Sequence, residues 1–343
     1  MSTSTRLRKR AAAPAKSNAT ARLETTYRRL QRAQVALDSQ RAKPASSKKL
    51  PQTGPGLDGE PAPPLPRKRL RKPGREAELD LAPRYLNPAY LGSRKLDGKV
   101  ALITGGDSGI GRAVATLFAR EGCDIVLVHL GGEQQDAAIA HDAVVNEGRK
   151  CVLLAGDVRQ RGFCERAVAK ALKAFGRLDV LVNNAAFQLH ADRLEDLSDE
   201  RIDLTLQTNV AGYLRMARAA LPHLEAGACI INTGSVTGLA GSPSLVDYSA
   251  SKGAIHALTK ALAQQVLDRG IRVNAVAPGP VWTPLNPADK RPSDMAEFGS
   301  HTAFRRPAQP EELAPAYVFL ASPCTASYIT GIVLPVTGEV GAI

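Results

Sequence analysis

The sequence predicts an α/β fold: a single doubly wound domain with a seven-stranded parallel sheet, preceded by a disordered basic tail. From Asp97 onward, short apolar runs alternate with longer amphipathic segments, which is the sequence form of repeated β-α units. Before that point the chain is rich in Pro, Ser, Ala, Lys and Arg. No internal repeat at a fixed period is visible. We therefore assign residues 1–94 to the tail and residues 95–343 to one folded domain.

The tail carries the excess positive charge of the chain. Residues 1–76 hold 19 Lys and Arg against 5 Asp and Glu, net +14, whereas the remainder has a net charge of −2. Pro-rich stretches such as 61–66 disfavour regular structure. We therefore expect that a chain beginning near Leu96 keeps its fold and activity.

One segment of the tail has helical spacing. Between Thr20 and Arg41, Leu23, Tyr27, Leu30 and Leu37 recur near the helical period among several arginines. This pattern indicates a short basic amphipathic helix at residues 20–41. A weakly helical, solvated segment is the alternative, because short isolated helices are marginal in water.

The domain's elements follow from its apolar runs. The predicted strands are Val100–Thr104, Ile125–Leu130, Cys151–Ala155, Val180–Asn183, Ile230–Thr233, Arg272–Val276 and Ile332–Val336. The predicted helices between them are Gly111–Arg120, Gln134–Asn146, Phe163–Phe175, Asp199–Leu221, Tyr248–Leu267 and Pro310–Leu320. The segment Pro284–Arg305 is predicted to be a loop over the ligand pocket, with Trp282, Gln188 and Leu245 facing the same space.

Composition excludes several classes of protein. The five cysteines are odd in number and contain no C-x-x-C pair, so neither a disulfide framework nor a zinc site is indicated. The six histidines show no paired spacing with a carboxylate, so no catalytic metal is expected. No apolar run is long enough to span a bilayer and no secretory signal is visible. We expect a soluble protein with reduced thiols, located in the cytoplasm.

The first predicted strand ends in a glycine-rich turn, Thr104-Gly105-Gly106-Asp107-Ser108-Gly109-Ile110-Gly111, which leads directly into a helix. Glycines permit a tight turn and close approach of the backbone to a pyrophosphate, and a helix N-terminus offers free N–H groups. A glycine-rich turn alone is a weak signal, and its position after the first strand of a β-α series is what favours dinucleotide binding.

A second signal is Tyr248 followed four residues later by Lys252, with Ser235 upstream at the end of a predicted strand. Helical residues four apart share a face, so both side chains can point at one place. An ammonium beside a phenol stabilises the phenolate and lowers its pKa toward working pH. By itself a Tyr–Lys pair at this spacing is usually a solvated helix face.

Together, the glycine turn, Asn183-Asn184-Ala185, Asn209, Ser235, Tyr248 with Lys252, and Pro278-Gly279 resemble the short-chain dehydrogenase/reductase family. The resemblance covers about Lys95 to Val336 and is closest to a branch described as glucose/ribitol dehydrogenase-like or general-stress oxidoreductases. It implies a Rossmann domain, hydride transfer between NAD(P) and a small carbonyl or alcohol substrate, and a homotetramer.

The resemblance also implies roles for individual residues. The catalytic set would be Asn209 holding a relay water, Ser235 orienting the substrate oxygen, Tyr248 exchanging the proton and Lys252 lowering the pKa of Tyr248 and binding the nicotinamide ribose. The cofactor would contact Gly105, Asp107, Ser108, Gly109, Ile110, Gly111, Asp157, Val158, Asn183, Ala185, Tyr248, Lys252, Pro278, Gly279, Val281 and Thr283.

The chain departs from the family pattern at two places. Ala186 stands where the family commonly has glycine, and Val336-Thr337-Gly338-Glu339 replaces the common acidic-Gly-Gly ending. The second strand is followed by Leu130-Gly131-Gly132, without the acid that selects NAD or the arginine that selects NADP. Asp107 can accept a hydrogen bond from a ribose hydroxyl and repel a 2′-phosphate, which favours NAD over NADP.

The alternative is a binding protein instead of an enzyme. A cofactor-sensing protein could use its basic tail to bind nucleic acid or an acidic partner. The presence of all four expected catalytic residues argues against this alternative.

Overall fold

The structure is a computed structural model that describes residues 18–41 and 59–338. Seven parallel strands form one sheet in the order β3-β2-β1-β4-β5-β6-β7. The strands are β1 Val100–Thr104, β2 Asp124–His129, β3 Cys151–Ala155, β4 Val180–Asn183, β5 Cys229–Thr233, β6 Arg272–Pro278 and β7 Val333–Val336. The order reverses beside β1, so the sheet is doubly wound, as the alternating pattern predicted.

Eleven α-helices surround or precede the sheet in the part of the chain that the structure describes. They are α1 Asn18–Gln40, α2 Gly109–Arg120, α3 Gln134–Asn146, α4 Arg161–Phe175, α5 Asp199–Leu206, α6 Gly212–Ala220, α7 Thr237–Ala240, α8 Val246–Gln265, α9 Pro292–Ala296, α10 Pro310–Ala321 and α11 Pro323–Ala326. α4 ends at Gly176 with a φ of 75°, a left-handed conformation that favours glycine.

The helices bury both faces of the sheet. Apolar residues of α2, α3 and α10 pack on one face, and those of α4, α6 and α8 pack on the other. This arrangement explains why strands such as Val100–Thr104 and Cys229–Thr233 are buried along their whole length. The continuous apolar runs in the sequence were therefore a sound basis for predicting central parallel strands.

The predicted helix Asp199–Leu221 is interrupted in the structure. A π-helical turn, Gln207–Ala211, separates α5 from α6. Single π turns inside helices occur frequently at functional sites. This turn contains Asn209, whose side chain is completely buried.

The prediction of a disordered tail is wrong for residues 18–41. They form α1, which packs Leu23, Tyr27 and Leu30 against Phe187, Leu189 and Leu204 of the domain. The helical spacing was thus recognised, and the solvated alternative is wrong because the apolar stripe has a matching surface to cover.

Residues 59–94 are also part of the folded unit, so the boundary at residue 94 does not separate a tail from a domain. Leu65 N donates to Ala296 O at 3.1 Å and Leu70 N donates to Pro287 O at 3.0 Å. Tyr90 donates its hydroxyl hydrogen to Glu121 at 2.5 Å. The Pro-rich composition was misleading because backbone hydrogen bonds to the domain replace internal secondary structure.

The remaining tail residues, 1–17 and 42–58, lie outside the described part of the chain, as does Glu339. The disorder expected for those tail residues stays a prediction. No helix within residues 18–41 and 59–338 is long and apolar enough to cross a membrane.

Candidate active site

The glycine-rich turn lies between β1 and α2 at the carboxyl edge of the sheet. Gly105 and Gly109 have φ values of 62° and 50°. A Cβ on Gly111 would lie 2.0 Å from Gly105 O, so only glycine fits there without a shift of the backbone. Thr104 ties the turn to β4, because its hydroxyl oxygen accepts hydrogen bonds from the backbone nitrogens of Asn184 and Ala185.

A cavity of about 350 Å³ opens at this edge of the sheet. Ligands of doubly wound folds bind outside the carboxyl ends of the strands, where the strand order reverses. The structure brings most of the predicted site residues to this one cavity. They are Gly105, Asp107, Ser108, Gly109, Ile110, Asp157, Val158, Ala185, Ser235, Tyr248, Lys252, Pro278, Gly279, Val281 and Thr283.

Three predicted residues do not line the cavity. Gly111 packs behind the turn, against Gly105. Asn183 is buried and donates from its Nδ2 to Asn232 Oδ1 at 3.0 Å, which joins β4 to β5. Asn209 is completely buried. The first two therefore support the site through packing and hydrogen bonding.

Ser235, Tyr248 and Lys252 meet at the end of β5 and the start of α8. The Tyr248 phenol lies beside the Ser235 side chain, whose Oγ accepts from Thr237 N at 3.1 Å. The Lys252 Nζ lies 5.4 Å from the centroid of the Tyr248 ring and donates to Thr233 O at 2.7 Å. The spacing of four residues on a helix thus produces the shared face that the sequence predicted.

Burial dominates the protonation of this pair. It raises the pKa of the Tyr248 phenol above its ordinary value, although the nearby Ser235 side chain lowers that pKa. Burial also lowers the pKa of Lys252 to about 7. Burial thus acts against the expected lowering of the Tyr248 pKa by Lys252, and that role of Lys252 stays a prediction. Tyr248 is consequently a neutral phenol that can donate a proton.

Asn209 holds the backbone of Phe187. Its Oδ1 accepts from Phe187 N at 2.7 Å, and its Nδ2 donates to Phe187 O at 2.9 Å and to Ser251 Oγ at 3.0 Å. Both polar atoms of the side chain therefore have protein partners, and the expected role of Asn209 in holding a relay water stays a prediction. It fixes the segment after β4 against α8, next to Tyr248.

The opposite end of the cavity is lined by polar and acidic groups. Asp107 and Glu133 both line it, and burial raises the pKa of each carboxyl, with their mutual repulsion contributing to the shift of Glu133. His129 Nε2 and Thr208 Oγ1 are buried there without a hydrogen-bond partner. Unpaired buried polar atoms are costly, so this end of the cavity suits a ligand that supplies hydrogen bonds.

Five lining residues come from the segment predicted to be a disordered tail: Leu23, Tyr27, Lys72, Pro73 and Gly74. The helical spacing around Leu23 and Tyr27 was the signal that could have identified the first two. The other three lie in a stretch with no periodicity, so no local signal distinguished them.

The predicted loop region is only partly as expected. Gln188 and Leu245 line the cavity, and so do Leu285, Asn286, Lys290 and Phe298 of the segment Pro284–Arg305. That segment also contains the short helix α9. Trp282 does not face the cavity, because it packs with Leu65 and Met295 and donates to Leu81 O at 2.9 Å.

The residues present fit a nicotinamide dinucleotide. The first turn of α2 leaves the N–H groups of Ile110 and Gly111 without intrahelical partners, and such groups bind phosphates. The cavity extends from Asp157 and Val158 at one end to Tyr248 and Lys252 at the other. An elongated ligand with a central pyrophosphate would therefore span the cavity from its acidic end to the phenol.

Comparisons with known proteins point in the same direction. A family described as enoyl-(acyl carrier protein) reductase matches residues 105–338. General stress protein 39 of Bacillus subtilis is 47% identical over 268 residues, which are 78% of this chain and 93% of that protein. Glucose and ribitol dehydrogenase of Daucus carota is 44% identical over 283 residues, which are 81% of this chain and 96% of that protein.

Two further similarities concern the cofactor. NADPH-dependent aldehyde reductase 1 of Arabidopsis thaliana is 42% identical over 276 residues, covering 79% of this chain and 96% of that protein. A crystal structure of a short chain dehydrogenase from Burkholderia cenocepacia in complex with NADP superposes with a TM-score of 0.67. The two chains are 33% identical, and the match covers 71% of this chain and 98% of the other.

Proposed function

Because the chain belongs to the short-chain dehydrogenase/reductase family and is an NAD(P)-dependent oxidoreductase acting on CH–OH groups, we propose that Tyr248 exchanges the proton with the reacting oxygen. The bound nicotinamide supplies or accepts the hydride. Ser235 orients the substrate oxygen, Lys252 holds the nicotinamide ribose, and Asn209 fixes the Phe187 backbone beside the proton path.

This proposal rests on one observation: the same cavity is lined by Ser235, Tyr248 and Lys252. A neutral phenol beside a serine hydroxyl can donate its proton as negative charge develops on a carbonyl oxygen. Lys252 is nearly completely buried, so its remaining donors can reach only groups inside the cavity.

Tyr248→Phe tests the proposal, because it removes the hydroxyl and keeps the ring. We expect turnover of an active aldehyde, ketone or sugar to fall about 10²- to 10⁴-fold, with NADH affinity nearly unchanged. The control is Tyr328→Phe, since Tyr328 is fully exposed. A loss of less than about tenfold in Tyr248→Phe would contradict the role of Tyr248.

The cofactor is proposed to be NAD in preference to NADP. Asp107 and Glu133 line the acidic end of the cavity, and no Lys or Arg follows β2 before Gln134. A 2′-phosphate there meets two acidic side chains, and the segment after β2 offers it no cation. One similar protein is named an NADPH-dependent aldehyde reductase, so kcat/KM should be measured with both cofactors. A kcat/KM that is higher with NADPH than with NADH would overturn the preference for NAD.

We also propose a cytoplasmic homotetramer. Leu206, Leu214 and Val246 on α5, α6 and α8 are exposed by 39%, 47% and 43%, and a second copy of the chain would cover them. Light scattering that gives a monomer at micromolar concentration would refute self-association. For the alternative of a basic segment that binds nucleic acid, three of the described arginines are already paired: Arg28, Arg29 and Arg41 contact Glu24, Glu200 and Asp196.

A further inference from the structure

We propose that the N-terminal segment is part of the dinucleotide site: α1 walls its adenosine end, and residues 72–76, which we call the N-terminal strap, cross its pyrophosphate region. This inference rests on the proposed cofactor site. It assigns binding residues to a part of the chain that precedes the glycine-rich turn and lies outside residues 105–338, which the family match covers.

Helix α1 contributes side chains directly to the cavity. Leu23 and Tyr27 line it together with Asp157, Val158 and Leu130. The Tyr27 ring lies 4.7 Å from the Phe187 ring, centroid to centroid. Both side chains are almost completely buried, so they are fixed in place before any ligand arrives. A rigid aromatic and aliphatic wall is the usual lining for the flat face of a base.

The N-terminal strap crosses the cavity from one side to the other. At one end, Lys72 Nζ donates to Gln188 O at 2.5 Å, in the segment after β4. In the middle, a Cβ on Gly74 would lie 2.8 Å from Pro284 O, after β6. At the other end, Glu76 reaches the first turn of α2. The strap therefore bridges three of the elements that surround the cavity.

Helix α1 and the strap are anchored to each other and to the domain. Gln31 Nε2 donates to Leu70 O and to Ala288 O, both at 2.8 Å, and Gln31 Oε1 accepts from Lys72 N at 3.1 Å. This buried glutamine therefore joins α1, the chain leading into the strap and the loop after β6. We infer that the helix and the strap move as one unit.

A matched pair of leucines on α1 tests the proposal. Leu23 and Leu30 belong to the same apolar cluster and are equally buried, at 3% and 6% exposure, but only Leu23 lines the cavity. Leu→Ala removes the same side-chain atoms at both positions. We expect Leu23→Ala to weaken binding of ADP-ribose about tenfold, and Leu30→Ala to weaken it less than threefold, both measured by calorimetry on the full chain.

Tyr27→Ala gives a second measurement at the same wall, with ligands that represent the two halves of the dinucleotide. We expect ADP-ribose binding to weaken more than tenfold and reduced nicotinamide mononucleotide binding to change less than twofold. Thermal midpoints of all variants are recorded, so that a loss of folding is recognised by equal losses of affinity for both ligands.

Several results would overturn the inference. Equal effects of Leu23→Ala and Leu30→Ala would show that α1 acts only through stability. Tighter binding by Tyr27→Ala would show that the helix blocks the site. If the full chain binds ADP-ribose and no variant changes the affinity, the inference fails alone; if the full chain binds neither NADH nor NADPH, the proposed function fails with it.

Discussion

The carboxylate of Glu76 accepts a hydrogen bond from Gly109 N at 2.7 Å, at the N-terminus of the helix that follows the glycine-rich turn. The same carboxylate pairs with Arg112 at 2.6 Å, and both side chains are about 5% exposed. A residue of the N-terminal segment thus caps the helix expected to bind the pyrophosphate, and satisfies a buried guanidinium at the same time.

We predict that Glu76→Gln destabilises the protein by about 3 kcal/mol, because removing one partner of a buried ion pair leaves the other charge unpaired. Urea denaturation measures the loss. The control is Glu78→Gln, which removes a partly exposed ion pair with Arg75 and should cost less than about 1 kcal/mol. Equal losses in the two variants would contradict a special role for the Glu76–Arg112 pair.

We predict that a chain beginning at Leu96 is much less stable than the full chain, which replaces the expectation from composition that it keeps its fold and activity. This change removes the buried side chains of Leu23, Leu30, Leu65 and Leu70, and each fully buried leucine contributes roughly 1.5–3 kcal/mol. A chain beginning at Glu60 should have an intermediate urea midpoint, because it lacks only α1 and the residues near it. If the shortest chain unfolds at the same urea concentration as the full chain, the segment does not stabilise the domain.

Gly111→Ala is expected to weaken NADH binding by tenfold or more. The added Cβ would lie 2.0 Å from Gly105 O and 2.8 Å from Asn184 Nδ2, so the turn must move away from the position that the pyrophosphate requires. Gly162→Ala is the matched control, because its Cβ would meet only the Arg166 side chain, at 3.4 Å. Fluorescence titration with NADH measures both variants, and unchanged affinity in Gly111→Ala would contradict the prediction.

The docking of α1 should depend on pH through His190, which lies between two carboxylates. Its Nδ1 is 2.9 Å from Asp289 Oδ1, and its Nε2 is 3.1 Å from Asp38 Oδ1 of α1. Burial lowers the pKa of His190, but the hydrogen bonds and charges of Asp289 and Asp38 outweigh it and raise that pKa above its ordinary value. A histidine whose pKa is raised by folding stabilises the folded state fully at pH values below its unfolded-state pKa. This stabilisation is lost as the pH rises through its folded-state pKa.

We therefore expect His190→Gln to destabilise the protein more at pH 6 than at pH 9, with a loss of about 3 kcal/mol at the lower pH. Urea denaturation at both pH values gives the two differences from the unchanged chain. His223→Gln, an exposed substitution, should stay within about 0.5 kcal/mol at both pH values. A destabilisation by His190→Gln that grows with pH would refute the assignment of charge to His190.

The sequence alone was sufficient for features that depend on local interactions. The bounds of β1 and β4 follow from apolar runs whose burial on both faces of a sheet requires uninterrupted hydrophobicity, and those of the half-buried edge strand β3 follow from a similar run. The shared face of Tyr248 and Lys252 follows from helix geometry, which places residues four apart side by side. The glycine-rich turn was recognisable because a backbone that approaches itself so closely excludes every side chain at Gly111.

Only the tertiary structure decided the role of the N-terminal segment. Lys72, Gly74 and Glu76 show no periodicity, and their partners, Gln188, Pro284 and Gly109, are distant in sequence. A Pro-rich chain that bonds to a folded surface has the same composition as one that remains in solvent, because composition does not record where the partners of backbone groups lie. The pKa of Tyr248 also depends on tertiary structure: the sequence places a lysine beside the phenol, but the fold buries both groups, and burial raises the pKa of Tyr248 and lowers that of Lys252.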